Sequence, residues 1–289
     1  MKFSQRMGIT QTEKILQTDS VDDELRNSLW SILTAFYWDK FDKSKYDMGS
    51  RIDYINYSNL NNLFQSLWLH YFKKPTDTIP TYFYDERGGL GVLRSYFFNA
   101  EWYEIYDFIE FVAAKGPSSE KTDFMKACNH FLERENSAYR FLEGKIVEIS
   151  STEELEEVET AIKQAAPYYG VKEHLNTAIG MLSDRENPNY RNSIKESISA
   201  VESLCKKISG NDKGSLGDAL KELEKNRKLH PALKKAFSSL YGYTSNTNGI
   251  RHALTEESNL TSADARFMLI SCSAFINYVI ALLAKEDNV

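Results

Sequence analysis

The chain has 289 residues, with 35 basic and 41 acidic side chains for a formal charge of -6, and 42% of it is hydrophobic. This length and composition supply one substantial core or two modest ones and exclude a disordered tail or a small stapled domain. Three cysteines, Cys128, Cys205 and Cys272, are too few and too widely spaced for a disulfide framework or a zinc knuckle, so a reducing cytoplasm is expected, with neither metal nor cofactor.

The opening residues, with Lys2, Arg6 and Lys14, lack the apolar stretch of a secretory signal. Over 20–41, Leu25, Leu29, Ile32, Leu33 and Phe36 recur at helical spacing, and over 57–72 Leu60, Leu63, Phe64, Leu67 and Leu69 do the same; both segments are predicted helices. A glycine cluster, Gly88, Gly89 and Gly91, precedes amphipathic helices predicted over 100–115 and 123–139. No strand precedes that cluster, so it does not read as a dinucleotide loop. Two short apolar runs around Glu143 and Gly144 predict a hairpin. Ser151 and Glu154 form a capping-box pattern opening an acidic helix, with a linker near 145–165. Of 37 aromatic residues, 28 precede Ser150, and this break divides the chain into an aromatic-rich helical domain over 1–150 and a second helical domain over 151–289.

The second half is predicted as a bundle of four or five helices: 169–183, a helix carrying Pro188 early and ending at Gly210, 215–225, 231–241, and a long apolar helix capped by Thr261 and Asp264. An irregular loop over 242–258 interrupts it. The uncharged run 267–284 approaches the length of a membrane span, but Ser271, Ser273, Asn277 and Tyr278 interrupt it. It is therefore read as a buried bundle helix rather than a tail anchor, and no membrane partner is expected. The fold class is mainly α, with one short β-hairpin near the domain boundary.

Chemistry concentrates in the irregular loop, where Arg251 and His252 are adjacent. A guanidinium offers a fixed fork of donors to phosphate, and an imidazole exchanges a proton near neutral pH; together they suit phosphodiester cleavage. The bland alternative pairs Arg251 with Glu256 or Glu257 and leaves His252 as a helix cap. The stretch 205–235 holds nine basic residues, Lys206 and Lys207 among them, against four acidic ones, a local charge of +5 in an acidic chain. The five histidines never recur at i, i+4, so no metal site is expected. His70 and His130 are expected to be satisfied or interfacial, and the cysteines to be packing groups.

The second half resembles the HEPN superfamily, specifically the C-terminal domain of abortive-infection proteins, whose motif is R-N-x-x-G-x-G-H-G between two helices. Asn246, Gly249 and His252 match it; Ser245, Arg251 and Ala253 stand where the motif has Arg, Gly and Gly. The first half resembles the N-terminal domain of AbiJ-type abortive-infection proteins, through the stretch from Phe3 through Arg6 to Gly8 and the helix containing Leu29 and Trp30. These resemblances imply an antiphage defence protein with a sensing domain followed by a metal-independent endoribonuclease that acts on RNA as a homodimer. Its trigger would be a phage-derived molecule or a second protein. The implied catalytic residues are His252 as general base or acid, Arg251 as phosphate clamp and Asn246 as loop orienter. The expected substrate contacts are Arg191 and Asn192, on the amphipathic helix that precedes the loop, and Lys206 and Lys207 of the basic stretch. Whether Arg251 or Arg191 replaces the missing motif cation stays open, and Ser245 keeps a catalytically inactive HEPN-fold binding module as the alternative.

Overall fold

The computed structural model describes residues 3–7, 15–42, 53–184, 187–210, 216–227, 229–246 and 260–284. It is mainly helical, with a single two-stranded hairpin among these residues. Contacts divide the chain into two compact units, Met1–Ile146 and Val147–Val289.

In the first unit, helix α1 (Phe3–Arg6) is one turn and α2 spans Asp23–Leu33. Asp22 starts α2 by accepting the Leu25 N–H at 2.7 Å, which satisfies one of the amides that a helix start leaves unpaired. Leu25, Leu29, Ile32 and Leu33 form its buried face. The helix then widens into a π turn, Thr34–Trp38, closed by the Asp39 N–H donating five residues back to Thr34 at 2.9 Å. Helix α3 (Asn61–Ser66) follows a 3₁₀ turn, Ile55–Tyr57, and runs into a second π turn, Leu67–Tyr71, closed by Phe72 N–H to Leu67 O at 2.8 Å. Each wide turn carries two consecutive core side chains, Tyr37 with Trp38 and Leu67 with Trp68.

Helix α4 (Gly89–Asn99) is an element that the sequence reading does not contain, because its first turn is the glycine cluster. The reason for glycine is steric. A Cβ on Gly89 would lie 2.5 Å from Ile55 Cδ1 and 2.6 Å from Phe64 Cε1, so only a bare backbone fits against that part of the core. Helices α5 (Trp102–Lys115) and α6 (Lys121–Arg134) complete the helical part. Rings dominate the core: Phe41 stacks on Phe83 at 4.3 Å, Trp30 meets Phe97 at 5.4 Å and Tyr37 meets Phe124 at 5.0 Å. Such offset and edge contacts add to the gain from area burial. The hairpin pairs β1 (Arg140–Leu142) with β2 (Lys145–Val147). Its turn has positive φ at Glu143 and Gly144, the geometry of a type I′ turn that matches the twist of short hairpins. Arg140 is buried, donating to the carbonyls of Ser137 and Tyr139 at 2.8 Å each.

The second unit comprises α7 (Thr152–Gln164), α8 (Tyr169–Ser183), α9 (Tyr190–Ser209), α10 (Leu216–Arg227), α11 (Pro231–Asn246) and α12 (Ser262–Ala284). The acidic helix expected after the Ser151 capping box is α7; it buries Leu155, Val158, Ala161 and Ile162, so this part of the expected linker is packed structure. Helix α9 is central, packing on α8, α12 and α10. Pro188 lies outside it, and Asn189 caps it by accepting the Asn192 N–H at 3.2 Å. Gly210 ends it at φ 65°, a conformation glycine adopts without penalty. Helix α11 continues through Asn246, so the first five residues of the expected loop are helical. Apolar residues that seed a helix can carry polar ones in its last turn.

Helix α12 buries Ala265, Met268, Leu269, Cys272, Phe275, Ile276 and Val279. By length and composition it could cross a membrane, yet polar groups on it are tied into the unit. Arg266 reaches the Glu148 carbonyl at 3.2 Å, and the Asn277 amide donates to the Glu157 carbonyl at 2.9 Å. The opposite side exposes Phe267 and Tyr278.

Candidate functional site

Helices α8 and α9 form an antiparallel pair whose register is fixed by polar contacts. The Ser193 hydroxyl donates to the Ala178 carbonyl at 2.8 Å, and the Asn189 N–H donates to the Met181 carbonyl at 3.1 Å. His174 Nδ1 meets Glu196 Oε2 at 2.6 Å farther along the pair. That imidazole-carboxylate contact is absent from the sequence reading. Its partners are 22 residues apart, and only the helix register brings them together.

Four of the expected site residues lie on α9, but not in one place. Arg191 and Asn192 occupy its first turn, whereas Lys206 and Lys207 occupy its last. At 1.5 Å per residue the two pairs are about 22 Å apart along the axis, so they cannot hold the same phosphate. The arginine is half-buried, and the Asn192 N–H is taken by the Asn189 cap.

At the other end, the last turn of α9 faces the first turn of α8. Tyr168, Tyr169, Gly170, Ser203, Lys206 and Lys207 line a cavity of about 350 Å³ there. Gly170 makes the approach feasible, since a Cβ on it would lie 2.5 Å from Ser203 Oγ. The Tyr169 ring is 78% exposed. No side chain caps the start of α8, and no carboxylate is among the described residues of the lining. Elsewhere in the basic stretch, Lys234 is paired with Glu224 between α11 and α10.

Asn246 is the last residue of α11. Arg251 and His252 lie outside the described residues, as does Gly249. Helix α12 begins beyond them, where the Thr261 N–H and hydroxyl both donate to Asp264 Oδ2, at 2.8 and 2.7 Å. Those hydrogen bonds hold the Asp264 carboxyl below the usual carboxylate range. The segment bearing the Arg-His pair therefore connects two helices of the second unit, and Phe237 on α11 touches Phe275 on α12 at 3.8 Å between ring centres.

The cysteines are buried. Burial pushes the thiols of Cys205 and Cys272 up to about 12, and that of Cys128 well above its ordinary value, the opposite of a nucleophile's environment. The glycine cluster is equally occupied. Gly89 donates to the Tyr82 carbonyl at 2.8 Å and Leu90 to the Phe83 carbonyl at 3.0 Å, which spends the amides that a phosphate would need.

The sequence profile of the AbiJ N-terminal domain 4 family matches residues 1–164, more than half of the chain. The chain belongs to this family. The AbiJ domain thus covers the whole first unit and α7, while α8 to α12 lie beyond the match. Two features that suggest the AbiJ likeness from sequence have structural places: Phe3–Arg6 forms α1, and Trp30 on α2 packs against Phe97 and Phe98. AbiJ membership makes this an abortive-infection defence protein. No curated protein and no solved structure matches the chain.

Proposed function

We propose that the AbiJ-type front of this protein senses an infection signal and that its second unit is a metal-independent HEPN-type endoribonuclease acting in the cytoplasm. The observation that carries the reading is the position of the motif-like stretch. Asn246 closes α11, His252 follows six residues later, and α12 starts at Ser262, so the stretch occupies the inter-helix position that the HEPN resemblance calls for. In this mechanism His252 takes the proton from a ribose 2′-hydroxyl, whose oxygen attacks the adjacent phosphorus. The imidazolium so formed returns that proton to the departing 5′-oxygen, and a 2′,3′-cyclic phosphate remains. Arg251 stabilises the charge that develops on the phosphoryl oxygens, and Asn246 orients the loop. An imidazole, a guanidinium and an amide suffice for this sequence.

The reading extends to a homodimer built on α12. Ala263, Phe267, Ala274, Tyr278 and Ala281 are exposed and Ile270 is half-exposed, repeating at intervals of three and four residues as the seam of a helix-helix contact does. A second copy of the same helix fits such a self-complementary stripe. Trigger recognition is placed in the aromatic-rich unit, with a phage-derived molecule or a second protein as its partner.

The test is incubation of the purified protein and its His252→Ala variant with total RNA in EDTA. Cleavage that leaves 2′,3′-cyclic phosphate ends and disappears in the variant is the expected result. Identical inertness of both, with and without an infected-cell extract, would remove the nuclease. It would favour the second reading, a non-catalytic module, for which the replacement of the motif arginine by Ser245 is the specific observation.

A further inference from the structure

The cavity at the α8–α9 end has a composition that selects its ligand. It holds about 350 Å³, within the range of small-ligand clefts and enough for one nucleotide but not for a folded partner. Its walls supply two ammonium groups on consecutive residues, a serine hydroxyl and two phenol rings, with no acid among the described lining residues. Lys207 makes no ion pair among the described residues, and the Ser203 hydroxyl has no protein hydrogen-bond partner among them. An uncapped helix start alone makes no site; here it accompanies a concavity, paired cations and an exposed ring. Gly170 keeps the concavity open, because any side chain there would fill the space above Ser203. An exposed aromatic ring beside two lysines, of which Lys207 makes no ion pair among the described residues, is the chemistry that single-stranded nucleic acids meet on their binding proteins, base on ring and phosphate on cation.

We propose that this cavity seats one nucleotide of single-stranded RNA. The base stacks on Tyr169, the phosphate lies against Lys206 and Lys207, and the Ser203 hydroxyl meets the sugar or a base edge. The inference deepens the RNA reading and rests on it, since it assigns a binding subsite to the unit that carries the proposed cleavage chemistry. Its place at the end of α9 remote from Arg191 separates strand holding from any role of that arginine. The phosphate contribution is screened by salt, whereas the stack is not.

The test is fluorescence anisotropy of a short labelled single-stranded RNA with the full-length protein carrying His252→Ala, which prevents turnover. In this background Tyr169→Ala is expected to weaken binding roughly tenfold, as loss of one base stack does, and Tyr169→Phe to restore it. Lys207→Glu is expected to weaken binding and to reduce the slope of log affinity against log salt by about 0.7 or more. Unchanged melting temperatures of these surface variants separate binding from folding. Uridine monophosphate competing where inorganic phosphate does not supports a nucleotide-shaped site. Uridine monophosphate binding without any RNA binding overturns the strand as occupant, and affinity unchanged in both Tyr169→Ala and Lys207→Glu overturns the subsite. The two readings fail separately. RNA bound through Tyr169 but never cut by the protein with His252 intact leaves the subsite and removes the nuclease; His252-dependent cutting unaltered by Tyr169→Ala and Lys207→Glu does the reverse.

Discussion

At the scale of single residues, the strongest expectations concern groups whose surroundings leave no latitude. Gly89→Ala forces a methyl into Ile55 and Phe64; overpacking of this kind costs about 1–3 kcal/mol, and thermal denaturation is expected to show it. The buried thiols of Cys205 and Cys272, raised to about 12, couple stability to pH. Folded, they stay neutral; unfolded, they ionise near their ordinary value of 9.0. Their contribution is therefore complete below pH 9 and lost as pH rises toward 12, by about 1.4 kcal/mol per unit for each thiol. Between pH 8.5 and 10, the melting temperature of the Cys205→Ala, Cys272→Ala double variant is expected to fall less steeply than that of the parent. The inert cysteines were legible in the sequence because each sits on an apolar helical face. His70 and His130, expected to be satisfied or interfacial, are both exposed, with His130 against the Phe131 ring at 5.3 Å. Apolar neighbours in sequence say nothing about which side of a helix a residue takes. Tyr169, Gly170 and Ser203 were missed for a related reason, because their shared cavity exists only through the packing of two helices.

At the scale of elements, regular amphipathic helices were readable and departures from regularity were not. Helix α8 follows its periodicity from end to end, and the caps at Ser151, Gly210 and Thr261 stand where their residue types place them. Helix α4 went unread because its first turn breaks the usual propensity rule, and the two π turns because a five-residue step leaves no mark in composition. Ser151→Ala removes the acceptor for the Glu154 N–H, 3.2 Å away. It is expected to destabilise the protein by about 0.5–2 kcal/mol, whereas Ser151→Asp, which can cap, is expected to retain stability. On α12, Phe267→Glu places a charge in the exposed stripe without touching the buried face. Light scattering is expected to show a monomer where the parent shows a dimer; a parent that is monomeric at micromolar concentration removes the proposed seam.

For the whole molecule, the division at Ile146 puts the ring-rich core in one unit and the helix pair with its basic cavity in the other. Each unit has its own buried centre, so calorimetry is expected to resolve two transitions, with Gly89→Ala lowering one of them and leaving the other in place. The candidate chemistry was only partly legible. The residue types of the Arg-His stretch and its place between two helices were visible in sequence, and the extension of α11 to Asn246 came from the structure. The separation of Arg191 from Lys206 was implicit in the sequence, since one predicted helix carries both and its rise per residue sets them about 22 Å apart. The wide turns after α2 and α3 carry a further consequence for the gene. Each counts as one codon inserted into an otherwise ordinary helical frame, so excising a codon within 34–38 or 67–71 would leave a smooth α-helix and yet rotate everything downstream by about 100°, swinging Trp38 or Trp68 out of register. A single-codon deletion scan should therefore show its sharpest loss of soluble expression at these two five-residue windows, and mild effects in the exposed turn 76–78.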